Sequence, residues 1–169
     1  YPAPTFMMRY GQPALVRMKN CLPANVQGFG HCDAITHVHN GHHASESDGY
    51  PENRFSPGSF RDHHYANMYA GGDPLEAKST LWYHDHCLDF TSQNVYRGNM
   101  GLYYMFNEFD TGNENDTNPN AWRLPSGQYD VPLVFHDRVF NPAGKGYYDL
   151  FNLDGIIGDK YTVNGKIFP

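Results

Sequence analysis

Two short histidine pairs carry most of the chemistry that this sequence offers: His37-Val38-His39 and His84-Asp85-His86. Each lies in a stretch that reads as β-strand, where side chains at i and i+2 share a face about 6 to 7 Å apart. Each pair thus presents two parallel imidazoles that can serve neighbouring metal ions, and two pairs together suggest a polynuclear site. The competing explanation is that strand histidines simply occupy the interior. Burying two polar rings without partners costs several kcal/mol, and metal ligation supplies such partners. Imidazole donors without thiolate suit Cu, Zn, Fe or Ni. A mononuclear zinc site more often uses three nearby ligands and an open fourth position, whereas two same-face pairs divide over two or three ions, so a copper cluster leads.

The other candidates are weaker. Of ten histidines, His31, His37, His39, His42 and His43 fall within thirteen positions. His31, His42, His43, His63, His64 and His136 are each expected to be scattered surface imidazoles. Trp82 shares the face of His84 and His86 by strand alternation; it is expected to fill the core, with walling the histidines as the alternative. Asp85 points to the opposite face, where a hydrogen bond to backbone is favoured over one that orients an imidazole. Cys21, Cys32 and Cys87 are odd in number and none is spaced C-x-x-C, so a cysteine-built zinc or redox site is not indicated. One disulfide with a free thiol and three buried thiols are equally open.

The elements that must position these residues read as strands. Short apolar or alternating runs bounded by turn residues occur at Pro13 to Met18, Ala34 to His39, Thr80 to His84, Met100 to Phe106, Val131 to Phe135 and Lys160 to Val163. No window of a dozen residues keeps a 3.6-residue apolar period, and only Leu75 to Ser79 and Phe90 to Tyr96 suggest short helical turns. The pattern is that of an all-β sandwich or barrel. Residues 108–128 shift to Asn, Asp, Gly, Thr and Pro with hardly an apolar anchor, so they read as a polar surface linker. It separates a first domain, residues 1–107, from residues 129–169, whose two or three strands cannot close a sandwich alone.

Composition narrows the partners. With 18 % charged residues and a net charge of −6, nothing favours nucleic acid or an anionic membrane held by phosphate neutralisation. The longest apolar runs are too short for a membrane span, and no signal peptide is visible. The chain starts at Tyr1 rather than Met, so the N-terminus is expected to be processed, truncated or simply not represented. The six methionines are too scattered for a copper-binding insert, and Asn115-Asp-Thr117 is a formal glycosylation acceptor of little weight here.

Longer motifs sharpen the reading. The segment Thr36-His-Val-His-Asn-Gly-His42, followed by Ser47-Asp-Gly-Tyr-Pro51, resembles the first copper motif of multicopper oxidases. Leu81-Trp-Tyr-His-Asp-His86, followed by Asn94-Val-Tyr-Arg-Gly98 and Gly101-Leu-Tyr-Tyr104, is similar to the second. Tyr129-Asp-Val-Pro-Leu-Val134, with Asp137-Arg138 and Val163-Asn-Gly-Lys166, resembles the entry into the family's second domain. The resemblance spans nearly the whole chain and is nearest to bacterial laccases of the spore-coat type.

The resemblance implies a cupredoxin-like Greek-key β-sandwich at 1–107, in which the earliest strands need not all be present, and the opening strands of a second such domain at 129–169. It implies that His37 ligates a type-2 copper and that His39, His84 and His86 ligate a type-3 copper pair, in a trinuclear centre that reduces dioxygen to water. It assigns Asp48 to proton delivery beside that centre, against the plainer role of a turn former before Gly49. It further implies a one-electron donor, phenolic or metal-ion, and export to the periplasm, cell surface or medium. One departure is that Asn40 stands where the family has Gly, a position Asn tolerates. A larger one is that the late motifs are absent: four more histidines and the type-1 copper ligands must come from further cupredoxin domains on this or another chain. Cys87 follows His86 but is expected to be buried and unligated. The alternatives are a non-catalytic cupredoxin-fold metal-binding or structural module, and a hydrolytic zinc enzyme. The last is disfavoured because no Glu stands beside a histidine pair as in zincins.

Overall fold

The computed structural model describes residues 2–169. Four strands form a mixed sheet: β1 (Ala3–Arg9), β3 (Thr36–His39), β5 (Thr80–Asp85) and β6 (Met100–Phe106). Their spatial order is β1-β6-β5-β3, which puts β3 at an edge. β1 runs parallel to β6, and the other pairs are antiparallel. A second, two-stranded antiparallel sheet joins β2 (Ala14–Lys19) to β4 (Phe60–Tyr65).

The two sheets face each other across one core. Val38, Leu81, Tyr83, Tyr103 and Met105 come from the first sheet and Tyr65 from the second, with Phe6, Met8 and Val16 packed against them. Strand alternation explains the division, because Val38 turns inward between His37 and His39, which turn to the other face. Of the tyrosine hydroxyls buried in this core, Tyr103 donates to Asn67 Oδ1 (2.6 Å) and Tyr83 to the Pro4 carbonyl (2.7 Å), whereas that of Tyr65 makes no hydrogen bond.

A third sheet lies in the C-terminal part, β7 (Phe135–Arg138), β8 (Lys160–Val163) and β9 (Lys166–Ile167). It meets the first part through the one α-helix of the described residues, α1 (Thr91–Arg97). The Tyr96 hydroxyl accepts from the Val139 amide (2.7 Å), and Ser92 and Tyr148 share a hydrogen bond of 2.9 Å. Gly98 ends α1 in the left-handed conformation (φ 111°), which lets its amide reach back to the last carbonyls.

Several expectations shift. The strand expected at Val131 to Phe135 begins only at Phe135, because Pro132 has no amide to donate and the Val134 amide is taken by Asn164 Oδ1. β1, β4 and β9 are additional strands. Residues 107–128 carry an apolar clasp after all, with Phe109 stacked on Trp122 at 5.8 Å. The Arg9 guanidinium ties this segment down by donating to the Asn107 and Thr111 carbonyls. Leu75 to Ser79 resolves as a single 3-10 turn at Pro74–Glu76, and Cys21, Cys32 and Cys87 are all free.

Candidate metal centre

The antiparallel register of β3 against β5 places His37 opposite His84 and His39 opposite Trp82. His86 lies one residue beyond β5, held in line by its amide, which donates to the Ile35 carbonyl at 2.9 Å. Both pairs therefore share one face. Ring centroids are 6.0 Å apart for His37 and His39, 5.5 Å for His84 and His86, and 5.1 Å for His37 and His86.

Hydrogen bonds set the tautomers. Nδ1 of His37 lies 2.6 Å from the Asp48 carbonyl, and Nδ1 of His84 lies 2.6 Å from the Asp85 carbonyl. A carbonyl only accepts, so each Nδ1 carries the proton and each Nε2 keeps its lone pair for a ligand. His84 Nε2 stands 3.2 Å from His39 Nδ1. That is the separation of two nitrogens sharing an ion with bonds of about 2.0 Å at an angle of roughly 105°. Ligand atoms of His37, His39 and His84 all lie within 4.8 Å of one another. Burial lowers the pKa of His84 to about 4, so the ring is neutral and needs no deprotonation before it binds a cation. Nδ1 of His86 is buried without a hydrogen-bond partner. The donor set fits metal ions that accept imidazole nitrogen.

The surroundings hold these rings in place. Trp82 is not among the core residues, contrary to expectation; it stacks on His84 at 4.3 Å and on His39 at 5.1 Å, and so walls the cluster. Asp85 lies on the opposite face and is 4 % exposed. Its Oδ1 accepts from the Ile35 amide and its Oδ2 from the Cys87 amide and the Asn94 side chain, which ties β3, β5 and α1 together. Cys87 is fully buried, and burial pushes its thiol pKa up, away from the thiolate a metal needs.

Asp48 reaches the cluster from the loop after β3. Its carbonyl fixes His37, and its Oδ1 stands 3.2 Å from the same nitrogen. Burial raises the pKa of this carboxyl, opposed by His37. Gly49 makes the approach possible: its φ is +80°, and a Cβ there would overlap the Thr36 carbonyl.

The four histidines and Trp82 line an open cleft of about 860 Å³, together with Asp89, Tyr96, His136 and Asp137, and the Tyr96 and His136 rings meet edge-on at 5.4 Å. His136 therefore lines the cleft rather than the outer surface. His43 and His63 also depart from expectation, being half-buried and fully buried, with His63 donating from Nδ1 to the Ser47 carbonyl. β4 turns His63 inward at every second residue, and no apolar alternation in Phe60–Tyr65 signals this. In a second grouping, His31, Cys32 and Asp33, two of the three residues are already engaged: His31 Nδ1 accepts the Asp33 amide and Arg54 pairs with the Asp33 carboxylate.

No protein-family model matches the chain. A bilirubin oxidase of Albifimbria verrucaria is 31 % identical over 170 residues, covering 99 % of this chain and 26 % of that protein. A laccase of Bacillus subtilis is 30 % identical over 203 residues, covering 100 % of this chain and 36 % of that protein. The crystal structure of a variant of the multicopper oxidase McoA from Aquifex aeolicus superposes with a TM-score of 0.72 at 25 % identity, over 96 % of this chain and 31 % of that one. The chain is homologous to multicopper oxidases. Its sandwich is the cupredoxin-like fold of that family. A laccase from Pediococcus acidilactici shares the fold as well, with a TM-score of 0.75 at 20 % identity. The chain spans about a quarter to a third of the length of these multicopper oxidase relatives. No helix among the described residues is long and apolar enough to cross a membrane.

Proposed function

We propose that this chain forms the N-terminal part of a laccase-like multicopper oxidase and supplies half of the ligands of a trinuclear copper centre that reduces dioxygen to water. The observation that carries this reading is the convergence of His37, His39, His84 and His86 on one wall of one cleft, with His39 Nδ1 and His84 Nε2 3.2 Å apart. His37 would hold the type-2 ion, and His39, His84 and His86 would hold the type-3 pair. Copper, when bound, stores electrons and provides the oxygen-binding positions for a four-electron reduction.

The chain's own residues prepare this chemistry. The Asp48 and Asp85 carbonyls orient His37 and His84 with their Nε2 lone pairs toward the cleft. Trp82 covers the flank of His39 and His84 and excludes water there. Reduction of dioxygen consumes four protons, and Asp48, whose carboxyl stands 3.2 Å from His37 Nδ1, is the residue assigned to relay them. Electrons come singly from a phenolic or metal-ion donor at a type-1 site on further cupredoxin domains. Those domains, on this or another chain, also complete the trinuclear centre, and the family relationship supports export from the cell.

Replacement of His84 or His86 by Ala in the copper-loaded full-length protein tests the assignment. Dioxygen consumption is expected to fall by more than about a hundredfold and the coupled type-3 spectroscopic signature to vanish, while blue type-1 absorption stays. Retention of the coupled pair contradicts the assignment. Absence of copper and of turnover in the unmodified protein favours a non-catalytic module.

A further inference from the structure

Methionines that lie far apart in the sequence are partly gathered by the fold. Met105 stands on β6 two residues beyond Tyr103 and turns inward with it, both being buried. Met68 arrives on the segment after β4, which Asn67 pins in place: its side-chain amide donates to the Gln12 carbonyl at 2.8 Å, and its Oδ1 accepts from the Tyr103 hydroxyl at 2.6 Å. His42 and His43 meet these methionines from the loop after β3. Together the four residues line an enclosed void of about 10 Å³, beside Asn67 and Tyr103. His42, His43 and Met68 also line an open surface depression of about 430 Å³. None of the four lines the histidine cleft.

The void is lined by donors that lack an occupant suited to water. Both ring nitrogens of His43 are shielded from solvent and make no hydrogen bond, an arrangement that is costly unless something fills it. Gly41, which lines both void and depression, makes room for this ring, since a Cβ there would come within 2.6 Å of Nε2. Burial lowers the pKa of His43 to about 4, so the ring is neutral and keeps a lone pair. A buried water needs about two to four polar partners. Asn67 and Tyr103 are engaged with each other, Leu81 offers no partner, and thioether sulfur is only a weak acceptor. Imidazole with thioether is instead the donor set of a soft metal ion: thioether selects Cu(I), and imidazole suits copper as well. Among the described residues no carboxylate lines the void or the depression, so a hard cation finds no site there.

We propose that His43 and Met105 from the interior, with His42 and Met68 from the depression, hold a single Cu(I) ion in a site separate from the histidine cleft. Met68 is 60 % exposed and His42 stands in solvent, whereas Met105 is 5 % exposed. The ion therefore enters at the depression and comes to rest against the buried donors, without change of valence. This site goes beyond the oxidase reading and does not depend on it, since the two share no residue.

The test uses the copper-loaded full-length protein with its thiols alkylated. Ag(I), a soft ion that takes thioether and imidazole as Cu(I) does, serves as the probe. The unmodified protein is expected to bind one more Ag(I) per chain than His43→Phe does, with its copper content unchanged. Affinity for that ion is expected to fall by about tenfold or more in Met68→Leu and in His42→Ala, both at exposed positions that leave the core intact. Anomalous diffraction from silver-soaked crystals is expected to place the ion in the void between His43 and Met105. Unchanged affinity in both Met68→Leu and His42→Ala, or silver bound elsewhere while the void holds water or nothing, overturns the site. Dioxygen consumption is read separately: silver in the void without turnover upholds this site while the oxidase reading fails, and turnover without silver in the void does the reverse.

Discussion

Single residues decide how the cluster is presented, and Asp85 is the clearest case. Its carboxylate gathers the Ile35 and Cys87 amides and the Asn94 side chain in a site closed to water. Asp85→Ala leaves those donors unpaired and is expected to cost about 3 kcal/mol, measured by denaturant unfolding. Protonation acts on single residues too. His43 and His84 have pKa values lowered to about 4 by burial, whereas an unfolded chain titrates near the ordinary value of about 6.5. Between those values the unfolded state binds more protons, so metal-free protein is expected to lose stability as pH falls from about 6.5 toward 4 and to gain it back on return. Denaturation midpoints at pH 7 and pH 5 check this; equal midpoints contradict it. The ligand candidates were legible because two residues per strand repeat is a strong geometric constraint. Asp85, lying between two of them, reads from sequence only as a residue on the other face, since its partners Ile35 and Asn94 lie fifty and nine positions away.

At the scale of elements, the site depends on an edge strand and the loop that follows it. β3 is four residues long and pairs only with β5, so the position of His37 rests on the Asp48 carbonyl and on the tight passage of Gly49. Gly49→Ala demands a positive φ from a residue with a Cβ and overlap with the Thr36 carbonyl. It is expected to destabilise the protein by about 2 kcal/mol or more, seen as a lowered thermal midpoint and weaker metal binding. β3, β5 and β6 could be read from their apolar alternation. β4 could not: in Phe-Arg-Asp-His-His-Tyr the inward positions are His63 and Tyr65, polar types that no alternation rule marks as core. For the same reason His43 and His63 read as surface residues although the fold buries them, and Trp82 reads as core although it lines the cleft.

For the whole molecule, the cleft is formed where the first sandwich meets the segment after residue 128. Tyr96 joins the two through its bonds to the Val139 amide and carbonyl. Tyr96→Phe is expected to cost about 1 kcal/mol and to speed hydrogen exchange at the Val139 amide, leaving exchange in β5 unchanged. Large apolar side chains of the C-terminal part stand in solvent, among them Phe151 at 91 % and Leu153 at 102 % exposure. The chain spans about a quarter to a third of the length of its relatives, and the further domains proposed above would cover that surface. The lack of the late motifs was legible in the sequence; the seat of the C-terminal part against α1 was not, because it depends on tyrosine hydroxyls rather than on any local pattern.

The central claim is that copper sits where the two histidine pairs converge. Anomalous diffraction at the copper edge from crystals of the copper-loaded full-length protein tests it most directly. The account predicts a peak about 2 Å from both His39 Nδ1 and His84 Nε2, with further peaks beside His37 and His86. Copper bound elsewhere, with those four rings free of it, would contradict the account.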